Sequence, residues 1–241
     1  MKNTKHRNTV EFVVYGKYGL FSDPVTRISG EKCSYEVPTY GALKGILESV
    51  YWKPTIIWVI DAVRVINPIQ MEAKGVTRLK DNGKHDLSYY THLRNCRYQV
   101  RAHFEWNENR PEYACDRNEN KHHEMAKRFI GMGGRRDVFL GIRKCQGYVE
   151  PCVFGEGAGA YDDVPELSFG LMYHSVTYAD EAYSEETKDK MTSHFWYPVM
   201  KNGVIEFLTP GECPIHKYLR KMKMKKFDNI RNEPETAKEV S

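Results

Sequence analysis

The chain has 241 residues, of which 41% are hydrophobic and 28% are charged, so it can form one large domain or two small ones. Its 36 basic and 32 acidic residues leave a net charge of only +4, so any nucleic-acid surface must come from local clustering. No segment reaches the roughly 18 consecutive apolar residues of a membrane span, and the N-terminal sequence MKNTKHRNTVEF lacks the apolar core of a signal peptide. We therefore expect a cytoplasmic protein without membrane contact. Six cysteines without a CxxC pair disfavour a disulfide framework and a structural zinc site.

The first quarter of the chain predicts a strand, a helix and a second strand. Residues 10–15, VEFVVY, are branched and aromatic, which is typical of a buried strand. Proline and glycine in residues 22–38 indicate an irregular connection. Apolar residues then recur at helical spacing over 43–50, and Pro54 prevents continuation, which predicts a helix of about three turns. The apolar run 55–66 predicts the second strand.

The middle of the chain predicts a polar region and three further elements. Residues 69–96 are polar, with a turn predicted at 80–84. Their run YYTHLR at 89–94 suits base stacking and phosphate contact, or equally a loop packed by its tyrosines. Residues 97–106 alternate between apolar and polar side chains, which predicts a strand with one polar face. A loop, a helix and a strand follow, at residues 107–120, 119–131 and 135–140.

The order strand, helix, strand, strand, helix, strand predicts an α+β fold. It matches the ferredoxin-like arrangement, a four-stranded antiparallel sheet with two helices on one face, which also underlies RNA-recognition domains. We assign this domain to residues 1–141. Short strand-like runs separated by glycine, proline and acidic turns predict a smaller, mainly antiparallel β region at 142–226. The polar tail 227–241 is expected to be disordered, and the basic run 217–226 either binds phosphate or only aids solubility.

Two side chains at the start of the second helix are candidates for chemistry. The macrodipole near a helix N-terminus disfavours the imidazolium form of His122, so its ring is available as a base, although His122 also lies on the inward face and could simply complete the core. Lys121 could contact a phosphate oxygen or be an ordinary exposed lysine. The adjacent His123 diverges from His122 by about 100 degrees on a helix, so the pair does not chelate one metal.

The nearby carboxylates do not form a recognisable metal motif, so metal is not expected. RNA offers a metal-free route, since its own 2′-hydroxyl can attack the adjacent phosphate once an acid, a base and a cation are positioned. Tyr51, at the end of the first helix, is either a packed core residue or a partner in that chemistry. The loop after the second helix could hold RNA through the amides of Gly133 and Gly134 and the guanidinium groups of Arg135 and Arg136.

Several long motifs resemble one family. They are FSDP at 21–24, GEKCSYEVPTYGALKGILESVYWKPT at 30–55, IQMEAKGV at 69–76, DRNENKHH at 116–123 and GGRRDVFLGIRKCQGYVEPC at 133–152. The chain is similar, from about residue 8 to about residue 215, to the precursor-RNA processing endoribonuclease of the type I-C (Dvulg) CRISPR system. That family is the d variant of the fifth Cas family, within the RAMP superfamily.

The resemblance implies an RNA substrate and protein partners. Members of this family cut the CRISPR repeat transcript at the 3′ base of its hairpin without metal or other cofactor, and leave a 2′,3′-cyclic phosphate and a 5′-hydroxyl. The mature crRNA then stays bound through its 5′ handle in a surveillance complex (Cascade) with the backbone and large subunits. A non-catalytic subunit that only binds the crRNA handle is the alternative. Nonspecific binding to DNA is left open.

The resemblance also implies which residues act. The family's catalytic tyrosine in the YWKP segment falls on Tyr51, and its lysine and histidine in the NxKH segment fall on Lys121 and His122. We interpret His122 as the base, Tyr51 as its proton donor or orienter, and Lys121 as the cation that stabilises the phosphorane, because tyrosine with a pKa near 10 is a poor base at neutral pH.

Overall fold

The computed structural model describes residues 6–24, 26, 31–79 and 83–224, and the predicted disordered tail at 227–241 lies outside the described residues. The described chain contains two α-helices, α1 at Tyr40–Val50 and α2 at Glu119–Gly131. Its strands are β1 Val10–Gly19, β2 Ile56–Val65, β3 Met71–Leu79, β4 His85–Trp106, β5 Val138–Phe139, β6 Gln146–Pro151, β7 Leu167–Ser168, β8 Met172–Thr177, β9 Lys190–Trp196, β10 Val199–Lys201, β11 Val204–Glu206 and β12 Ile215–Lys221.

Nine strands form the main sheet. Its order is β5-β6-β1-β4-β2-β11-β10-β7, with β3 paired to β4, and all its neighbouring strands are antiparallel. Helix α1 connects β1 to β2, and α2 lies between β4 and β6 in the chain. A separate three-stranded sheet has the order β12-β9-β8. The strands that follow residue 141 therefore divide between the two sheets.

One face of the main sheet is covered by both helices. Helix α1 contacts β2, β5 and β8, whereas α2 contacts β1 and β6. Alternate residues of β1, Val10, Phe12 and Val14, belong to the same buried cluster as Leu47 of α1 and Ile130 of α2. Because side chains alternate along a strand, the residues between them point to the opposite face. We call that opposite side, which carries Glu11, Tyr15, Arg97 and Arg101, the helix-free face.

The predicted helices are confirmed, and each begins at a side-chain cap. Thr39 accepts a hydrogen bond from the Ala42 amide at 3.2 Å, and Asn118 accepts one from the Lys121 amide at 3.0 Å. Such caps satisfy amides that a helix start otherwise leaves unpaired.

The interpretation of residues 69–96 as loops was wrong. These residues form β3 and the first half of β4, which pair from Met71↔Leu93 to Leu79↔His85. The predicted strand 97–106 is therefore only the end of a strand of 22 residues. One face of this hairpin is exposed, Leu79 and Leu87 included. Its other, partly buried face carries polar side chains such as Glu72, Lys74 and Ser88, so the sequence lacks the apolar alternation that marks a half-buried strand. The predicted turn at 80–84 lies partly outside the described residues.

Other predicted strands are shorter or displaced. The strand predicted at 135–140 contains only Val138 and Phe139, because the preceding residues are exposed, and β6 is the strand that pairs with β1. One of the strand-like runs predicted within 142–226, ELSFGLMYHSVTY at 166–178, is split into β7 and β8, with Gly170 at a positive φ of 70° between them. The basic run 217–226 begins within β12, and its last two residues are not described.

Hydrogen bonds from the buried Arg64 hold an irregular segment, residues 152–162, against the helix-free face. Arg64 of β2 is 5% exposed, and its guanidinium group donates hydrogen bonds to both oxygens of Asp162, at 2.8 and 2.7 Å. It also donates to the carbonyl oxygens of Glu156 and Gly157, at 3.2 and 2.8 Å. Hydrogen bonds from Arg64 hold the pKa of the Asp162 carboxyl below its usual range.

The described residues contain no helix long and apolar enough to cross a membrane.

Replacing Asp162 with alanine should lower the free energy of unfolding by about 2 kcal/mol, since a buried guanidinium group loses its charged partner. The measurement is urea denaturation followed by circular dichroism. Glu166→Ala is the matched control, because its pair with Lys201 is more than half exposed on both sides and should contribute less than about 1 kcal/mol. Equal losses in the two variants would contradict the anchoring role of Arg64.

Candidate active site

The first turn of α2 presents two of the predicted catalytic residues in different environments. The Asn118 cap fixes the start of the helix, so Lys121 and His122 fall in its first turn. The side chain of Lys121 is 47% exposed, whereas that of His122 is completely buried. The His122 ring packs edge-on against Phe104 and Trp106 of β4, with ring centroids 6.1 and 5.8 Å away.

Tyr51 follows α1 directly, where the backbone leaves the helix. Its amide donates to the Leu47 carbonyl at 2.8 Å, and its own carbonyl accepts from the indole of Trp58 at 2.7 Å. The side chain, 1% exposed, stacks on Phe129 of α2. Its hydroxyl oxygen lies 2.7 Å from Nδ1 of His122. The ends of two helices far apart in sequence thus meet in one buried hydrogen bond.

The hydrogen bonds of His122 define its tautomer. Nε2 lies 2.7 Å from the backbone carbonyl oxygen of Asp116, and a carbonyl oxygen can only accept, so Nε2 carries a hydrogen. In the neutral ring Nδ1 is then an acceptor, and the Tyr51 hydroxyl donates to it. Both nitrogens are engaged, so Asp116 must move before Nε2 can touch a substrate.

Burial and charge also set the protonation states of Tyr51 and Asp116. Burial, with a smaller contribution from the Asp116 carboxylate, raises the pKa of Tyr51 to about 12. The hydrogen bond from Lys121 holds the pKa of the Asp116 carboxyl below its usual range. At neutral pH Tyr51 is therefore a phenol, and Asp116 is a carboxylate.

The Asp116 carboxylate lies beside both Lys121 and His122. Its carboxylate forms an ion pair with Lys121, and the second carboxylate oxygen lies 3.6 Å from Nε2 of His122. Asp116 ends a short 3₁₀ helix, Pro111–Asp116. The following residue, Arg117, anchors the segment through two hydrogen bonds of 3.0 Å to Glu108. In the sequence, Asp116 is one of the nearby carboxylates that form no recognisable metal motif, and no local pattern predicted this contact.

The predicted RNA-binding loop lies at the other end of α2. Nine residues separate His122 from Gly131, which corresponds to a rise of about 14 Å. The amides of Gly133 and Gly134 donate to the carbonyls of Ile130 and Phe129, at 3.0 and 2.8 Å, with positive φ angles of 81° and 107°. These amides complete the helix end, as glycines often do, so they are not available to phosphate.

Arg135 and Arg136 are exposed beyond that helix end. They line a groove of about 330 Å³ together with Glu48, Ser49 and Trp52. Trp52 follows Tyr51 in the chain and is 41% exposed. The groove is thus joined to the candidate site through the end of α1, but its lining does not include Tyr51, Lys121 or His122.

A set of potential metal ligands lies elsewhere. Within the described residues, His6, Asp61 and His103 place ligand atoms within 4.8 Å of one another. His103 contacts Asp61 through Nδ1 at 2.8 Å and stacks on His6. His103 lies on the helix-free face, whereas its neighbour Phe104 faces the core and His122. The sheet therefore separates this set from Tyr51 and His122.

Comparisons with known proteins identify the family. A sequence model described as "CRISPR-associated protein (Cas_Cas5)", the Cas5d type, matches residues 9–208. The chain belongs to the Cas5d family. This family member is 27% identical over 229 residues to a Mannheimia succiniciproducens protein named "CRISPR pre-crRNA endoribonuclease Cas5d", covering 83% of this chain and 94% of that protein.

Solved structures resemble the chain as well. A crystal structure titled as a CRISPR-associated protein has a TM-score of 0.70 at 34% identity. A functionally uncharacterized protein from Streptococcus mutans has a TM-score of 0.71 at 36% identity. Each comparison covers 87% of this chain and 96% of the other. The predicted membership of the Cas5d family is confirmed.

Replacing Tyr51 with phenylalanine should lower the free energy of unfolding by about 1–2 kcal/mol, because Nδ1 of His122 loses its buried donor. Chemical denaturation measures this loss, and ¹⁵N NMR of the imidazole should show a changed tautomer balance. Tyr197→Phe, at a tyrosine that is 57% exposed, is the control and should be neutral. An unchanged His122 spectrum in Tyr51→Phe would refute the hydrogen bond.

Proposed function

We propose that this protein is an endoribonuclease that cleaves precursor CRISPR RNA within the repeat, at the 3′ base of the hairpin. It then retains the 5′ handle of the crRNA as a subunit of a type I-C surveillance complex with the backbone and large subunits. The observation that carries the proposal is the buried Tyr51–His122 hydrogen bond beside Lys121. Support comes from the relative named as a pre-crRNA endoribonuclease, whose length is almost wholly covered.

The reaction is a transesterification that needs no metal. The 2′-hydroxyl oxygen attacks the adjacent phosphorus, its proton passes to Nε2 of His122, and the bond from phosphorus to the 5′-oxygen breaks. The products are a 2′,3′-cyclic phosphate and, after protonation from solvent, a 5′-hydroxyl. Lys121 stabilises the growing charge on the phosphorane oxygens.

Tyr51 acts as an orienter of His122. Its hydroxyl lies on the Nδ1 side of the ring, and Asp116 lies on the Nε2 side, so Nε2 is the reactive edge. With its pKa raised to about 12, Tyr51 is not a base at neutral pH. The hydroxyl can donate to Nδ1 or accept from it. When Asp116 withdraws, Tyr51 can thus accept from Nδ1–H, and Nε2 gains the lone pair that a base needs.

Replacing His122 or Lys121 with alanine should abolish cleavage of a labelled repeat RNA in EDTA, while RNA binding is largely kept. Loss of a positioned acid–base group costs on the order of 10²- to 10⁴-fold in rate. His123→Ala and Lys127→Ala on the same helix are the matched controls, since His123 bonds the Thr9 carbonyl and Lys127 pairs with Glu124.

The same assay tests the chemistry. A 2′-deoxy nucleotide at the scissile position should block cutting and spare binding. Cleavage that continues with that substrate would rule out attack by the 2′-hydroxyl. Cleavage that needs a divalent ion would rule out the metal-free route.

Replacing Asp116 with asparagine should raise cleavage, because it removes the carboxylate that competes with the phosphate for Lys121. The pair is partly exposed and worth up to about 1 kcal/mol, so the expected rise in kcat/KM is roughly twofold to fivefold. The matched control is Glu124→Gln, which removes the carboxylate that pairs with Lys127 on the same helix and leaves the segment that carries Asp116 intact. A fall in kcat/KM for Asp116→Asn would show that Asp116 assists the reaction instead.

A non-catalytic subunit that only binds the crRNA handle is the second candidate. The observation in its favour is that Tyr51 and His122 are 1% and 0% exposed, with both imidazole nitrogens engaged. In that case wild-type protein would bind the repeat RNA without cutting it, and the alanine variants would be indistinguishable from wild type.

We also propose a ferredoxin-like classification for the N-terminal part. The sheet order β6-β1-β4-β2 supports it, as do the positions of the helices, since α1 follows β1 and α2 follows β4 in the chain. The division into a first domain at 1–141 and a β region at 142–226 remains a prediction, and β6 lies beyond that boundary. RNA contacts by Arg135 and Arg136 remain part of the proposal.

A further inference from the structure

The helix-free face carries a row of three side chains on adjacent strands. Tyr15 of β1 pairs directly with Tyr148 of β6 on one side and with Arg97 of β4 on the other. Directly paired residues point to the same face of an antiparallel sheet, so the three side chains lie beside one another. We call them the Tyr–Arg row.

Most of the remaining helix-free face is already occupied. Segment 152–162 covers its middle, where Arg64 and Gln99 hold the backbone of that segment. The stacked rings of His6 and His103 lie farther along β4. The Tyr–Arg row, by contrast, borders an open groove of about 240 Å³, lined also by Lys17, Asn67 and Asn95.

The row offers aromatic surface and positive charge together. Tyr148 is 55% exposed, and its ring centroid lies 5.6 Å from that of Tyr15. The Arg97 guanidinium group lies over the Tyr15 ring at 5.3 Å. Glu150 accepts a hydrogen bond from the Tyr15 hydroxyl, which holds that ring in place. Within the described residues, no carboxylate forms an ion pair with Arg97 or Lys17.

We infer that the Tyr–Arg row binds single-stranded RNA, with a base stacked on Tyr148 and the adjoining phosphates on Arg97 and Lys17. An exposed aromatic ring beside positively charged side chains on a sheet suits single-stranded nucleic acid, because bases stack on the ring and phosphates contact the charges. The site is separate from Tyr51 and His122, which lie on the helix-covered side. The inference rests on the proposed function in one respect, the choice of RNA over DNA.

The test measures binding of a fluorescent uridine oligonucleotide of about ten residues to the full chain by anisotropy. Tyr148→Ala should weaken binding about tenfold, and Tyr148→Phe should retain it, because stacking needs the ring and not the hydroxyl. Arg97→Gln should weaken binding and lower the slope of log affinity against log salt by about one. Tyr197→Ala removes an equally exposed tyrosine outside the row and should leave binding unchanged.

Two further readouts separate this inference from the proposed function. The first readout is a 5-iodouridine probe, which should crosslink to Tyr148 under ultraviolet light, with the site mapped by mass spectrometry. The second is cleavage of the repeat RNA, measured in the same Tyr148 and Arg97 variants. Binding that depends on Tyr148 in a protein that never cuts RNA would refute only the proposed function. Equal binding by Tyr148→Ala and wild type would overturn the inference, whatever the cleavage result. Equal affinity for the matching DNA, lost equally in Tyr148→Ala, would overturn the assignment to RNA.

Discussion

The candidate site depends on one buried hydrogen bond, between the Tyr51 hydroxyl and Nδ1 of His122. It can form only because α1 ends at Val50, which turns Tyr51 toward α2, and because the Asn118 cap sets His122 in the first turn of α2. The stacking of Tyr51 on Phe129 aligns the two groups further. A helix boundary moved by one residue would rotate either side chain by about 100 degrees and break the contact.

Asp116 contacts both functional groups of the candidate site. It supplies a carbonyl oxygen to His122 and a carboxylate to Lys121, so one residue satisfies both groups. An unpaired buried imidazole N–H would cost about 1–3 kcal/mol. In the proposed function, a phosphate that replaces Asp116 would have to restore equivalent contacts, which favours a substrate whose oxygens reach Lys121 and His122 together.

The sequence predicted the helices and the positions of Tyr51, Lys121 and His122, because capping, apolar spacing and Pro54 are local signals. From the residues alone, a core role and a catalytic role remained open for Tyr51 and His122. Their near-complete burial confirms the core role, and the catalytic role stays a prediction. The long β3–β4 hairpin was not predicted because one face of it is exposed and the other carries many polar side chains. The contacts of Asp116 and Arg64 are long-range or side-chain-specific, and no short pattern encodes them.

The two faces of the main sheet suit different tasks. The helix-covered face is buried, which strengthens the hydrogen bonds that orient His122, whereas the exposed Tyr–Arg row on the helix-free face suits stacking and phosphate contact. One RNA molecule that reaches both faces has to pass around a sheet edge, and the edge next to the Tyr–Arg row is β5-β6. Arg135 and Arg136 lie between the end of α2 and the start of β5. In the proposed function these two exposed arginines would contact such an RNA where it crosses from one face to the other, and they would take no part in the chemistry.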